Sequence, residues 1–150
     1  KITFTRSRPY RKNDNCFVEQ KNYSIVRRAV GYHRYDTAEE LELLNQLYSR
    51  LRLYTNFFQP VMKLVEKTRT GSKVTKRYDK ARTPCRRVLE SRFTAKRTKG
   101  ALKQEYATLN PVKLYREINR LQNRLEACIH SKHEAAQQSE RSVNLEYIST

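Results

Sequence analysis

The chain has 150 residues, with 32 lysines and arginines against 15 acids, which gives a formal net charge of +17. This balance disfavours a self-contained compact enzyme and favours a polyanionic partner: nucleic acid first, and an anionic membrane surface second. No apolar run approaches the roughly 18 residues that a membrane span needs, and no secretory pattern opens the chain. With 37% hydrophobic residues and no Trp, we expect one domain with a modest core.

The three cysteines, Cys16, Cys85 and Cys128, are far apart and form no Cys-x-x-Cys pair. This spacing disfavours a disulfide framework or a zinc site and favours a reducing, cytosolic setting. Because the sequence does not begin with Met, we expect the chain to be part of a longer protein.

The first predicted elements are a strand, a basic loop and a helix. Residues 2–5 alternate apolar and polar side chains, which is typical of a short, half-buried strand. A basic loop follows at residues 6–15, where Pro9 and an Asn-Asp-Asn run favour a turn. A helix is then predicted from Cys16 to about Val30, with an apolar face made of Val18, Ile25, Val26, Ala29 and Val30.

This helix has sequence signals at both ends. Asn15 is the predicted N-cap, and Gly31 is predicted to end the helix. Glu19 lies one turn in, where a carboxylate is electrostatically favourable, and nearly all its sequence neighbours with charge are cations. An acid in such a setting is either a salt-bridge partner or a metal ligand in a site built for phosphate chemistry.

A capping box predicts the start of a second, longer helix. Thr37 is its N-cap, and Glu40 follows three residues later. Apolar side chains then recur every three or four residues until Pro60 ends the helix: Leu41, Leu44, Leu47, Tyr48, Leu51, Tyr54 and Phe58. We expect this stripe to pack in a core or against another helix, with an oligomer contact as the alternative.

Two short strands around Gly71 predict a basic β-hairpin. Residues 63–99 hold fourteen Lys and Arg against three acids, which is +11 of the chain's +17. Cations at alternating strand positions would present one face to a duplex backbone, where binding does not depend on sequence. Tyr78 and Phe93 are candidates for stacking on exposed bases, although for Tyr78 we favour packing in a small core.

Two further helices are predicted to start at an N-cap residue followed by proline. Thr83 begins a short helix through Leu89, and Asn110 begins a longer helix to about His130. The longer helix has an apolar stripe: Val112, Tyr115, Ile118, Leu121, Leu125 and Ile129. Residues 131–150 lose this pattern and turn polar, which predicts a disordered tail.

A family resemblance is carried first by two neighbouring runs, ITFTRSRPYRKNDN at residues 2–15 and FVEQKN at residues 17–22. They closely resemble the last part of the catalytic core of bacterial DDE-type transposases, which belong with the retroviral-type integrases. Later stretches look like the same group's C-terminal region: GYHRYD at 31–36, LYTNFFQP at 53–60, KLVEK at 63–67, KRYD at 76–79 and YATLNP at 106–111. The resemblance covers about residues 1–127.

In that family a strand, a loop and a helix end a ribonuclease-H-like core, and the helix carries the third acid of an Asp-Asp-Glu triad. The resemblance places this acid at Glu19, as a catalytic residue and a ligand of Mg²⁺ or Mn²⁺. It implies an α+β, mostly helical fold, in which the end of the core is followed by helices and a basic hairpin. The implied chemistry of the complete enzyme is hydrolysis of a DNA phosphodiester and then attack by the freed 3′-hydroxyl on target DNA, as in transposition and DNA integration.

One departure from the family's pattern limits this implication. The family's two aspartates precede the matching strand, whereas Asp14, Asp36 and Asp79 all follow it here. Two-metal phosphoryl transfer needs several carboxylates around cations about 4 Å apart, and one carboxylate binds magnesium weakly. We therefore expect this chain to be inactive alone and to hold no metal tightly.

Charge and resemblance together indicate the partners. We expect transposon-end and target DNA, no membrane, a homo-oligomer with the full-length transposase, and a bacterial cytoplasmic location near the nucleoid. The candidate DNA-binding residues are Arg8, Arg11, Lys12, Lys21, Lys63, Lys67, Arg69, Lys73, Lys76, Arg77, Lys80 and Arg82. The expected segments are the end of the core at 1–35, an amphipathic helix at 36–60, a basic hairpin and DNA-contacting linker at 61–99, a helical segment at 100–130 and a disordered tail at 131–150.

Two other interpretations stay open, the first permitted by composition and the second by the fragmentary start of the chain. The first is a basic, non-enzymatic protein that binds RNA or associates with ribosomes and has no metal chemistry. The second is a remnant of an insertion element whose product has no role. The sequence upstream of Ile2 distinguishes the first of these from the enzyme hypothesis, which requires two further aspartates there.

Overall fold

A computed structural model describes residues 6–148, apart from the side chains of Lys12, Phe17 and residues 139–148. The predicted strand at residues 2–5 lies outside the described residues. The described chain is α+β and mostly helical, as predicted, with one two-stranded antiparallel sheet. Its elements are α1 (Cys16–Lys21), α2 (Arg28–Val30), α3 (Ala38–Phe58), β1 (Leu64–Thr70), β2 (Lys73–Tyr78), α4 (Pro84–Glu90), α5 (Lys96–Thr108) and α6 (Pro111–Ile148).

The chain divides into two compact units. One contains the residues up to Leu41 together with those from Gln122 onward, and the other contains Glu42–Leu121. The long helices α3 and α6 contribute residues to both units. The hairpin belongs to the second unit, whereas Glu19 belongs to the first.

The helix predicted from Cys16 is interrupted. A 3₁₀ turn at Lys12–Asn15 precedes α1, and a π-helical segment at Asn22–Arg27 separates α1 from α2. Asn15 has helical backbone angles, and its side chain makes no capping hydrogen bond. The N-cap prediction is therefore wrong, because the chain already turns helically from Lys12 onward.

The wider turn of the π-helical segment changes which side chains of the predicted apolar face are buried from solvent. Residues after Asn22 on the predicted apolar face are half-buried, but Val18 before it is 71% exposed, so its predicted burial is wrong. Gly31 ends α2 with a φ of +68°, a conformation that favours glycine. The predicted stop signal at Gly31 is confirmed.

Helix α3 begins with the predicted capping box. Glu40 Oε2 accepts hydrogen bonds from the backbone N–H groups of Asp36 (2.9 Å) and Thr37 (3.0 Å). Thr37 Oγ1 accepts one in return from the Glu40 N–H (3.2 Å). These bonds pair free N–H groups at the helix start, which is why the Thr-x-x-Glu pattern located it correctly.

The buried face of α3 differs from the predicted stripe. Leu47 of the stripe is buried and its members from Leu44 to Phe58 are otherwise half-buried, but Leu41 is 60% exposed. Leu43 and Phe57, which the stripe did not include, are buried. The sequence alone does not decide between the predicted and the observed buried face of α3, because leucines at positions 41, 43, 44 and 47 allow more than one helical face to be apolar.

Helix α5 was not predicted as a separate element starting at Lys96. Its apolar pattern is weak, and it contains Gly100, which lowers helix propensity. Tyr106 packs its ring against Phe57 and Phe58 of α3, with centroids 6.2 and 5.5 Å apart. We infer that this aromatic packing supports a helix that local propensity alone favours weakly.

The predicted starts of α4 and α6 are confirmed. Thr83 Oγ1 accepts a hydrogen bond from the Arg86 N–H (3.2 Å), and Asn110 Oδ1 accepts one from the Val112 N–H (2.9 Å). Four residues of the predicted α6 stripe are buried, Leu114 joins them, and Val112 and Tyr115 are exposed. The buried four are Ile118, Leu121, Leu125 and Ile129.

Helix α6 extends beyond the prediction. A disordered tail was predicted for residues 131–150, but the helix continues to Ile148. Lys132 Nζ donates to the carboxylates of Asp36 (2.6 Å) and Glu40 (3.0 Å), which holds this part of the helix against the start of α3. Across the described residues, no helix is both long enough and apolar enough to cross a bilayer.

Candidate nucleic-acid interface

The hairpin is built around a two-residue turn. Thr70 lies opposite Lys73, and Gly71 has a φ of +63° while Ser72 has no positive φ. This pattern of signs matches a type II′ turn, whose twist suits an antiparallel hairpin. The predicted hairpin is confirmed, and every residue of β1 and β2 is exposed.

The register divides the hairpin side chains between two faces, because residues opposite each other project to the same side. We call the first the lysine face: Leu64, Lys67, Arg69, Val74, Lys76 and Tyr78. We call the second the threonine face: Glu66, Thr68, Thr70, Lys73, Thr75 and Arg77. The prediction of one cationic face was too simple, since the turn places Lys73 and Arg77 on the side away from the other cations.

The two faces differ in charge compensation. On the threonine face, Arg77 Nε lies 3.0 Å from Glu66 Oε2, so Lys73 is the cation left over. On the lysine face, Lys67 and Lys76 lie directly opposite each other, and no acid shares the face. Like charges opposite each other in a hairpin are destabilising by up to about 1 kcal/mol. The lysine face therefore carries a charge arrangement that an anion would relieve.

All three acids of residues 63–99 form ion pairs with arginines of the same segment. Besides Glu66, Asp79 pairs with Arg87, and Glu90 pairs with Arg82 (2.7 Å) and Arg86 (2.9 Å). Four of the fourteen cations are thereby paired with an acid, two of them sharing Glu90. Among the described side chains, the other ten have no acidic partner: Lys63, Lys67, Arg69, Lys73, Lys76, Lys80, Arg92, Lys96, Arg97 and Lys99.

A carboxylate fixes the base of the hairpin. Asp79 Oδ1 accepts from the Lys63 N–H (2.7 Å) and from Arg87 Nη2 (3.0 Å), and Asp79 Oδ2 lies 2.5 Å from Arg87 Nη1. Arg87 Nη2 also donates to the Val61 carbonyl (2.7 Å), so α4 is bonded to the chain shortly before β1 and directly after β2. The hydrogen bonds from Arg87, followed by that from Lys63, lower the pKa of Asp79 to about 2.

Replacing Asp79 with Asn should loosen the hairpin without unfolding the helices. Because the pKa of Asp79 is lower in the fold than its usual value of about 3.9, the carboxylate stabilises the hairpin base above that pH. This contribution is lost as the pH falls through about 2. We expect faster hydrogen exchange of the β1 and β2 amides in Asp79→Asn at neutral pH, with α6 amides unchanged. Unchanged hairpin exchange would contradict this role.

An exposed aromatic lies at the turn between α4 and α5. Phe93 is 86% exposed, and the Arg92 guanidinium lies over its ring, 4.9 Å from the centroid. The Ser91 hydroxyl accepts a hydrogen bond from the Phe93 N–H (3.3 Å). Tyr78, for which we favoured core packing, is 48% exposed on the lysine face. Both candidate stacking residues are therefore accessible.

The N-terminal candidates lie in the other unit. Arg8 makes two side-chain bonds to Asp14 (2.8 and 2.9 Å), which lower the pKa of Asp14, whereas Arg11 and Lys21 are exposed. Glu19 is exposed in the first turn of α1. Among the described side chains Glu19 has no ion-pair partner.

The residues present do not fit a magnesium or manganese site. Among the side chains that the structure describes, which end at Gln138, no three His, Cys, Asp or Glu are grouped so that they could hold a metal. Asp14, an acid five residues before Glu19, is already bonded to Arg8. One exposed carboxylate does not provide the ligands that two-metal chemistry requires, and we derive no reaction step through a metal here.

Sequence reasoning missed two groups of residues. One is the Asp79–Arg87 pair, and the other is Lys132, which bonds to Glu40 from 92 positions away. Nothing local in the sequence indicates either pairing. From Thr70–Lys73 back to Glu66–Arg77 the division of the hairpin into two faces was predictable, since a two-residue turn at Gly71 fixes which strand positions lie opposite each other. The register shift between Leu64 and Glu66, which places Leu64 opposite Tyr78, was not.

Comparisons with known proteins give a partial match to one curated protein. No family model matches the chain, and no solved structure matches it. The chain is 58% identical over 77 residues to the uncharacterized protein y4rM of Sinorhizobium fredii (strain NBRC 101917 / NGR234). The match covers 51% of this chain and 22% of that relative, so the chain spans less than a quarter of the relative's length. The relative's name gives no activity, and membership of the chain in the DDE-type transposases stays a prediction.

Proposed function

We propose that this chain is the DNA-binding C-terminal part of a DDE-type transposase or integrase, acting in DNA transposition and integration. The observation that carries the proposal is the set of ten cations in residues 63–99 without an acidic partner among the described side chains. An ordinary solvated surface intersperses charges of both signs. In this segment, by contrast, all three acids are already paired with arginines of the segment itself. Phosphate groups are the ligands that balance such an excess.

The hairpin supplies the geometry for such binding. A two-stranded ribbon is narrow enough to lie along a DNA groove, and its exposed strands make the backbone and side chains accessible. The lysine face presents Lys67, Arg69 and Lys76 together, with Arg69 Nε also donating to the Gly71 carbonyl (3.1 Å). The Asp79–Arg87 pair fixes the base of this ribbon. Cations bound to phosphates position DNA without reading its sequence.

The enzymatic part of the proposal rests on the sequence resemblance around Glu19. In a longer protein, Glu19 would act as the third acid together with two aspartates from other segments. If a longer protein containing this segment carries strand-transfer activity, Glu19→Gln should abolish that activity and leave DNA affinity unchanged. Retained transfer would remove Glu19 from the metal site, and reduced DNA affinity would assign it to the fold or the DNA interface.

The DNA-binding part is tested on the chain as it is. We expect fluorescence anisotropy with a labelled DNA duplex to give a binding constant that falls linearly with salt on a double logarithmic plot. An RNA duplex of the same sequence is the comparison, because a basic RNA-associated protein is the competing interpretation. Absence of DNA binding at low salt would overturn the proposal, and clearly tighter binding of the RNA would favour the competitor.

A further inference from the structure

The turn between α4 and α5 displays an aromatic ring to solvent within the most basic segment of the chain. Phe93 is 86% exposed, although a phenylalanine ring is stabilised by removal from water. Its backbone is held by the bond from its N–H to the Ser91 hydroxyl (3.3 Å). The ring is therefore presented by a bonded turn and contributes little to any core among the described residues.

The charges around the ring indicate what it would bind. The Arg92 guanidinium lies over one face of the ring, 4.9 Å from its centroid. Because Phe93 is nevertheless 86% exposed, we infer that the opposite face is open to solvent. Lys96, Arg97 and Lys99 follow within six residues and have no acidic partner among the described side chains. An apolar protein partner would have to bury these cations, whereas a nucleic acid offers a flat base for the ring and phosphates for the cations.

We propose that Phe93, backed by Arg92, is a stacking platform for an unpaired DNA base, so that this chain prefers forked or frayed duplex ends to blunt duplex. This inference rests on the proposed DNA binding and names the structural state of the DNA that is bound. In a duplex each paired base is stacked between its neighbours and its faces are not accessible. The platform therefore adds to the binding affinity only where a base is already unpaired and unstacked. Cations bind the phosphates of both kinds of DNA alike.

The test compares two DNA probes that differ only in one end. One is a blunt duplex, and the other is the same duplex with short unpaired tails, each titrated by fluorescence anisotropy. We expect the chain to bind the forked probe about fivefold or more tightly, which is the effect of stacking one base on an aromatic ring. Phe93→Leu should abolish this preference because it keeps an apolar side chain but removes the ring, whereas Phe93→Tyr should retain it.

A matched control separates this inference from the proposed function. Lys67→Ala with Lys76→Ala should weaken binding of both probes by the same factor and leave their ratio unchanged. Equal binding of both probes by the unmodified chain, or a preference that survives in Phe93→Leu, would overturn the platform while leaving DNA binding intact. No binding of either probe would instead overturn the proposed function. Because Phe93 is so exposed, its variants should retain the helical circular-dichroism signal.

Discussion

Replacing both Lys67 and Lys76 with Ala is expected to weaken duplex DNA binding roughly 50-fold near 0.1 M salt. Each phosphate that the variant no longer neutralises should reduce the slope of log K against log salt by about 0.9, so the slope of the double variant should be shallower by about two. Fluorescence anisotropy over a range of salt concentrations measures both quantities. The hairpin should remain folded, because removing two lysines that lie directly opposite each other relieves a repulsion.

The matched control is Lys73→Ala with Arg77→Ala. It removes the same formal charge from the same hairpin, but from the threonine face, and it frees Glu66 from its ion pair. If only the overall charge mattered, this control would weaken binding at least as much as the first variant. We expect it to change the slope by less than about one. Equal weakening of binding by both double variants would contradict the assignment of the lysine face.

Glu40→Ala should reduce the free energy of unfolding by roughly 2 kcal/mol, the combined effect of removing a helix cap and a hydrogen bond to a charged partner. The Glu40 side chain is 1% exposed, with Lys132 Nζ 2.8 Å from its Oε1. Its Oε2 accepts hydrogen bonds from the N–H groups of Asp36 and Thr37 at the start of α3. Replacement with Ala removes the helix cap and one of the two carboxylates that bind Lys132, the other being Asp36. Urea unfolding followed by circular dichroism measures the reduction.

The neighbouring acid provides the control. Glu39 is exposed and lies 3.8 Å from Arg124, so Glu39→Ala should change stability by less than about 0.5 kcal/mol. A destabilisation in Glu39→Ala equal to that in Glu40→Ala would show that general helix propensity, rather than the buried pair, sets the effect.

The effect of Glu40 should also depend on pH. The hydrogen bond from Lys132 outweighs the effect of burial and lowers the pKa of Glu40 to about 2. Because this pKa is below the value in the unfolded chain, about 4.3, the stabilisation is complete above that pH and is lost as the pH falls toward 2. The difference in stability between the unmodified chain and Glu40→Ala should shrink over this range. A difference that stays constant would contradict the ion pair.

Local signals in the sequence located several elements correctly. The Thr37–Glu40 capping box, the N-caps Thr83 and Asn110, and the glycine turn at Gly71 act through bonds to residues only a few positions away. Their chemistry can therefore be recognised in a short window of sequence. For the same reason the existence of the hairpin and its basic character were predictable, and so was the coarse α+β class.

The remaining features depend on packing between distant residues. Lys132 holds the start of α3 from 92 positions away, and Tyr106 supports α5 through rings at the end of α3. The buried register of α3 and the Asp79–Arg87 pair also follow from packing that no local pattern encodes. Asn15 is not the N-cap of α1, because it already lies in a 3₁₀ turn that leads into this helix. The π-helical segment after α1 was not predicted either, because no signal in the sequence around Asn22 indicates it.

Lysine footprinting in the presence and absence of DNA tests the central claim most directly. An amine-reactive reagent is applied to the free chain and to its complex with a DNA duplex, and modification of each lysine is quantified by mass spectrometry. DNA binding through the lysine face predicts protection of Lys67 and Lys76 in the complex, with Lys73 on the threonine face still modified. Protection of Lys73 with Lys67 and Lys76 left reactive, or no protection of any hairpin lysine in a complex that binds DNA, would contradict the account.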